Sequence, residues 1–128
     1  MPFVYFATAC FVVWLVKTSG IYPSGSDTMY HVYRGDYVYN AIKSGNWYPL
    51  YDPAWYNGVE IMRYWAPLTA YYMALCQMIA GGGQLAGYLI FVGSVCFFNS
   101  ILWLIIGRKM NRPYLGAFVG LIWFFMPN

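Results

Sequence analysis

Residues 85–107 form an unbroken run of about 23 residues without a charged side chain. At ~1.5 Å per residue, a helix of that length matches the roughly 30 Å hydrocarbon core of a bilayer, and this run alone directs the chain toward a membrane fold. Composition agrees. Only 9% of the residues are charged and 61% are hydrophobic, where an ordinary soluble domain carries about a quarter charged residues. Trp and Tyr, 6 and 14 in number, are the side chains that settle at the boundary between lipid and water. The net charge of +3 is spread thinly, with no basic stripe, which excludes a nucleic-acid surface.

Around this span the chain divides into three parts. Residues 1–17 read as a first transmembrane helix. Lys17 follows its apolar run, and no charged leader or small-residue cleavage site marks it as a removable signal. Residues 18–66 read as an extramembrane loop with amphipathic interfacial helices, and residues 67–128 as membrane helices 2 to 4. The fold class is therefore all-α, a polytopic transmembrane helical protein whose long, partly helical loop lies between the first two membrane helices. Both ends fall at the edges of hydrophobic runs, so the sequence reads as part of a larger membrane protein, with the remainder of the same polypeptide and membrane lipids as its neighbours. Cys10, Cys76 and Cys96 each sit in apolar surroundings and behave as small hydrophobes, with no zinc spacing or disulfide framework.

All four acids and the single His lie in the loop. Ser26 is a good N-cap, Asp27 suits a first turn, and Gly45 is a stop signal, which predicts a helix over residues 27–44. A short second helix over residues 60–65 leads to Pro67, a favoured first helical residue. On the longer helix Asp27, Tyr30, His31 and Arg34 stand at i, i+3, i+4 and i+7 and share one face.

This face is the most site-like arrangement in the chain. Asp27 is the candidate general base or ligand of a divalent metal such as Mg or Mn, the alternative being a carboxylate that merely favours the helix dipole. His31 is a candidate for positioning a phosphate or a metal. The planar fork of Arg34 suits phosphate, or an ion pair with Asp27 or Asp36. Asp52, Glu60 and Arg63 form a second polar group with candidate substrate-binding roles. An Asx turn at Asp52 and an i, i+3 ion pair between Glu60 and Arg63 are its plainer readings. Trp47, Trp55, Tyr56 and Trp65 read first as interfacial anchors. Gly81-Gly82-Gly83 has no following Lys or Ser/Thr and is no phosphate loop.

Sidedness has two readings. Arg108, Lys109 and Arg112 place their turn in the cytoplasm under the positive-inside rule. Counting back through two full spans puts the long loop there as well, whereas a segment 67–80 too short to cross puts the loop outside.

The runs Gly25-Ser26-Asp27-Thr28-Met29-Tyr30-His31-Val32-Tyr33-Arg34, Ser44-Gly45-Asn46-Trp47-Tyr48-Pro49, Trp55-Tyr56-Asn57-Gly58 and Tyr64-Trp65-Ala66-Pro67-Leu68-Thr69-Ala70-Tyr71-Tyr72 resemble the N-terminal part of GT-C superfamily membrane glycosyltransferases. Within that group they resemble the 6-pyruvoyl-tetrahydropterin-synthase-related membrane proteins and the YfhO-like proteins. The resemblance implies an extracytoplasmic first loop in the plasma membrane, with Asp27 at the metal-ligand or catalytic-base position and His31 and Arg34 in the accompanying pattern. It also implies a polyprenyl-phosphate-linked sugar as donor for transfer to an extracytoplasmic acceptor. Oligosaccharyltransferases carry a proline after this Asp and their Arg one place earlier, and Thr28 and Arg34 depart from both. The rival from another class is a non-catalytic transporter or assembly subunit whose loop is a docking surface.

Overall fold

The computed structural model describes residues 1–20, 27–55, 57–63 and 66–125. Among them lie helices α1 (Pro2–Ser19), α2 (Thr28–Lys43), α3 (Pro67–Ile79), α4 (Gln84–Lys109) and α5 (Pro113–Ile122), the last continued by a 3-10 turn, Trp123–Phe125. Pro occupies the first turn of α1, α3 and α5, where its missing N–H costs no helical hydrogen bond. The chain falls into two compact units, residues 1–23 with 92–128, and residues 24–91. Helix α4 begins in the second and ends in the first.

In the first unit, α1 and α4 are the two described helices long and apolar enough to cross a membrane. Their apolar surface stays largely open. Phe3, Phe6, Phe11, Trp14, Phe98 and Leu102 are each more than half exposed, an arrangement that suits a hydrocarbon solvent better than water. Packing inside the unit relies on small residues and hydroxyls. A Cβ added to Gly107 would lie 2.6 Å from the Gly116 Cα, so the backbones of α4 and α5 meet there with no room for a side chain, as in other membrane helix pairs. Buried Tyr5 donates to the Ala117 carbonyl (3.1 Å), and Ser100 donates to the Gly120 carbonyl (2.7 Å).

The second unit is built on α2 packed against α3. Val38, Ile61, Met62, Ala70 and Ala74 form its core, with Tyr33, Tyr37, Ile42 and Val59 packed around them. Gly35 allows the close approach, because a Cβ there would lie 2.8 Å from the Cβ of Met73. Buried Gln77 fastens the pair. Its Nε2 donates to Asp36 Oδ1 at 2.7 Å and to the Gly82 carbonyl at 3.1 Å.

Several expectations are adjusted. Helix α2 starts one residue later than expected, with Asp27 as its N-cap residue instead of a first-turn acid, and ends at the Ser44 cap just before Gly45. The anticipated N-cap Ser26 lies outside the described residues. No helix forms at Glu60–Arg63. Arg63 N–H closes a turn onto the Glu60 carbonyl (3.1 Å) while Ile61 and Met62 both turn into the core. Tyr64 and Trp65, the rest of that expected helix, also lie outside the described residues. With 13 residues, α3 is about 20 Å long, well short of a bilayer core.

Candidate functional site

Helix α2 carries the first group of expected site residues, and burial rises along it. Asp27 is exposed, Tyr30 and His31 are half-buried, and Arg34 is 1% exposed. The backbone links them, with the His31 N–H donating to the Asp27 carbonyl at 3.0 Å. The Asp27 side chain makes no capping hydrogen bond to the helix and has no ion-pair partner among the described residues. Its carboxylate is therefore open to solvent at the start of the helix.

Arg34 differs from its expected place at the surface. Its Nη2 donates to the Ile61 carbonyl (3.1 Å), and its guanidinium lies 5.6 Å from the centre of the Tyr30 ring. Burial pulls its pKa down from the usual guanidinium range, with the neighbouring Tyr30 opposing. The nearby acid Asp36 is held by Gln77 and by Asn40, whose Nδ2 donates to Asp36 Oδ2 at 3.1 Å. Arg34 thus ties α2 to the segment that enters α3, and in this structure it presents no fork to a ligand. The His31 ring stands 5.9 Å from that of Tyr30, tilted by 56°.

The residues of the second group separate for a reason written in the backbone. An isolated antiparallel bridge pairs Asp52 with Val59 through two hydrogen bonds of 2.9 Å. Side chains alternate across such a pairing, so Asp52 and Val59 share one side while Tyr51 and Glu60 share the other. Asp52 points inward and is 2% exposed. Its Oδ1 accepts the Ala54 N–H at 2.9 Å, the expected Asx turn, and its Oδ2 accepts the Tyr33 hydroxyl. Asp52 is a buried fastener between the loop and α2, and as placed it offers no oxygen to a substrate.

Glu60 and Arg63 lie on the open side, paired at 2.8 Å with both side chains more than half exposed. With Tyr48, Leu50, Tyr51 and Met62 they line a cleft of about 290 Å³. These four cleft partners were missed by sequence reasoning. The usable signal was alternation about the Asp52–Val59 pairing, which cannot be known before the pairing itself.

The aromatic residues divide similarly. Trp47 is 71% exposed, as an interfacial anchor would be. Trp55 packs internally, 4.7 Å from Tyr33 and 5.2 Å from Tyr30 between ring centres. Tyr56 and Trp65 lie outside the described residues. Phenol hydroxyls bind the loop to the helices, with Tyr37 donating to the Tyr51 carbonyl (2.7 Å) and Tyr71 to the Trp47 carbonyl (2.6 Å).

Burial, reinforced by the hydrogen bond to Asp52, pushes the Tyr33 phenol up to about 12 from 10.0. The folded state therefore holds this proton more tightly than the unfolded chain. Its stabilising contribution is complete below pH ~10 and is lost as pH rises through about 12. The part of the tryptophan emission that Trp55→Phe removes is expected to change over that alkaline window in the wild type and to lose the transition in Tyr33→Phe. An emission flat to pH 12 would contradict this assignment.

Among the described residues no group of three His, Cys, Asp or Glu side chains could hold a metal ion. The protein would offer a cation such as Mg or Mn the single carboxylate of Asp27, and waters with a substrate phosphate would have to fill its remaining positions.

No curated protein and no solved structure matches the chain. A family model, the 6-pyruvoyl-tetrahydropterin synthase related domain of membrane proteins, matches residues 62–128, just over half of the chain. That match takes in Arg63, α3, α4 and α5 and begins after Asp27, His31, Arg34, Asp52 and Glu60. The apolar run over residues 85–107, the two helices long and apolar enough to cross a membrane and this match lead to one conclusion: the chain belongs to the 6-pyruvoyl-tetrahydropterin-synthase-related family of membrane proteins.

Proposed function

We propose that this chain supplies the N-terminal portion of a GT-C-like glycosyltransferase that moves a sugar from a polyprenyl-phosphate donor to an extracytoplasmic acceptor at the plasma membrane. The observation that carries the reading is the open carboxylate of Asp27, exposed and uncapped at the start of α2. The docking-surface rival expects Asp27 and Arg34 to neutralise one another. Arg34 is instead engaged with Ile61 and Tyr30.

In the proposed step, Asp27 accepts the proton of an acceptor hydroxyl as that oxygen bonds to the anomeric carbon. The bond from that carbon to the phosphate oxygen breaks, and polyprenyl phosphate leaves with the electron pair. A base in this role typically contributes about 10²–10⁴-fold. His31, half-buried one turn further along, is the side chain best placed to orient the acceptor or the departing phosphate. The assay is release of polyprenyl phosphate from polyprenyl-phosphate mannose or glucose by the full-length protein in liposomes, with and without Asp27.

Sidedness has support of its own. Helix α3 is short and packed on α2, and α4 is the one described helix between the loop and the basic turn at residues 108–112 that is long and apolar enough to cross a membrane. With that turn in the cytoplasm, the charge rule puts the loop outside. Lys43 is exposed at the end of α2. In intact cells, Lys43→Cys is expected to react with a membrane-impermeant maleimide added from outside. Labelling only after the cells are opened would reverse the orientation.

A further inference from the structure

We infer that the cleft lined by Tyr48, Tyr51, Glu60 and Arg63 binds a single sugar ring. Its volume of about 290 Å³ stands at the lower end of small-molecule sites, enough for one ring and too little for an extended chain. The charges decide the ligand class. Arg63 Nη1 is 2.8 Å from Glu60 Oε2, so an anion drawn to the guanidinium meets a carboxylate, and a cation drawn to the carboxylate meets a guanidinium. A neutral polyol has neither conflict. Its hydroxyls accept from the Arg63 fork and donate to the Glu60 oxygens, both of which are exposed enough to be reached. Tyr48 and Tyr51 add aromatic faces for the apolar side of the ring, and Tyr48 a phenol hydroxyl for its rim, while the Tyr51 hydroxyl donates to the Asn57 carbonyl at 3.4 Å.

The cleft is also held in shape before any ligand arrives. Tyr51 and Glu60 flank the Asp52–Val59 bridge on its open side. The Tyr51 ring lies against Gly58, where an added Cβ would overlap the phenol, and Gly58 has a φ of +112° that L side chains rarely adopt. Asp52 anchors the same bridge to Tyr33 from below. A turn that only glycine permits therefore backs the Tyr51 wall of the cleft, and a buried carboxylate anchors the bridge that Tyr51 and Glu60 flank. Such preorganisation is unneeded in a loop that only touches lipid.

The inference deepens the transferase reading and rests on it for the source of the sugar, but its test reads binding alone. The full chain is placed in phosphatidylcholine nanodiscs, free of sugar-based detergents. Methyl α-mannopyranoside and methyl β-glucopyranoside are added as probes, with saturation transfer to their ring protons as the signal. At least one glycoside is expected to bind with an affinity on the order of millimolar, as a few exposed hydrogen bonds allow. Glu60→Ala with Arg63→Ala should weaken it at least tenfold. Arg63→Lys, which keeps the charge but loses the planar fork, should weaken it several-fold. Lys43→Ala, at an exposed position that does not line the cleft, should leave binding unchanged, and because the probes carry no phosphate to release, a failed binding assay and a failed transfer assay are separate results. No saturation from either glycoside, saturation that survives the double substitution, or displacement of the glycoside by inorganic phosphate would each overturn the assignment.

Discussion

Asp52→Ala is expected to destabilise the unit of residues 24–91 by about 2–4 kcal/mol, since it leaves two part-buried donors without their acceptor. Two donors lose their acceptor at once. The Tyr33 hydroxyl and the Ala54 N–H both end on this carboxylate, and Asp52 is 2% exposed. Both bonds are part-buried, with Tyr33 half-buried and Ala54 at the surface. Asp52→Asn should cost less, about 1–2 kcal/mol, because an amide keeps one acceptor oxygen and must present its NH₂ to the other donor. Chemical unfolding followed through the Trp55-dependent emission reads both variants, as the Trp55 ring packs at a tilt against Tyr33. Equal stability of Asp52→Ala and the wild type would show that the bridge and not the carboxylate holds the loop.

This pair of substitutions also shows how far the sequence could be read. The long apolar run, the polar turn near residue 110, the helix opening at Asp27 and the Asx turn at Asp52 were legible, because each follows from local hydrophobicity or local capping chemistry. Asp52 and Glu60 looked alike in sequence, two acids of one polar group. Only their positions on a two-sided pairing send one into the core and the other to the cleft, and that pairing joins residues seven apart through a turn whose conformation depends on Gly58. Arg34 was misplaced for a related reason. Helical phase puts it on the face of Asp27, but phase does not tell that Ile61 will supply a carbonyl and Tyr30 a ring to cover it. Trp55 carries the same lesson, since an aromatic side chain in a loop reads as an interfacial anchor until partners on α2 are known. The missing helix at residues 60–63 was lost to burial, with Ile61 and Met62 both drawn into the core.

The second large effect concerns Asp27 and leaves stability nearly untouched. The side chain is exposed and makes no capping bond, so Asp27→Ala should shift unfolding by less than about 1 kcal/mol. Transfer should fall by about 100-fold or more, the typical contribution of a positioned base. Asp27→Asn, which matches the shape and removes the basicity, should fall as far as Ala, whereas Asp27→Glu should retain part of the rate. A loss shared by Ala, Asn and Glu alike, together with a loss of folding, would mark Asp27 as structural.

The most direct measurement is therefore the rate of polyprenyl phosphate release by the full-length wild-type protein and by Asp27→Asn, side by side in liposomes. A wild-type rate that depends on added acceptor, with the Asn variant at least 100-fold slower and equally stable, is the predicted result. Undiminished release by Asp27→Asn, or no release by the wild type from either donor, would contradict it.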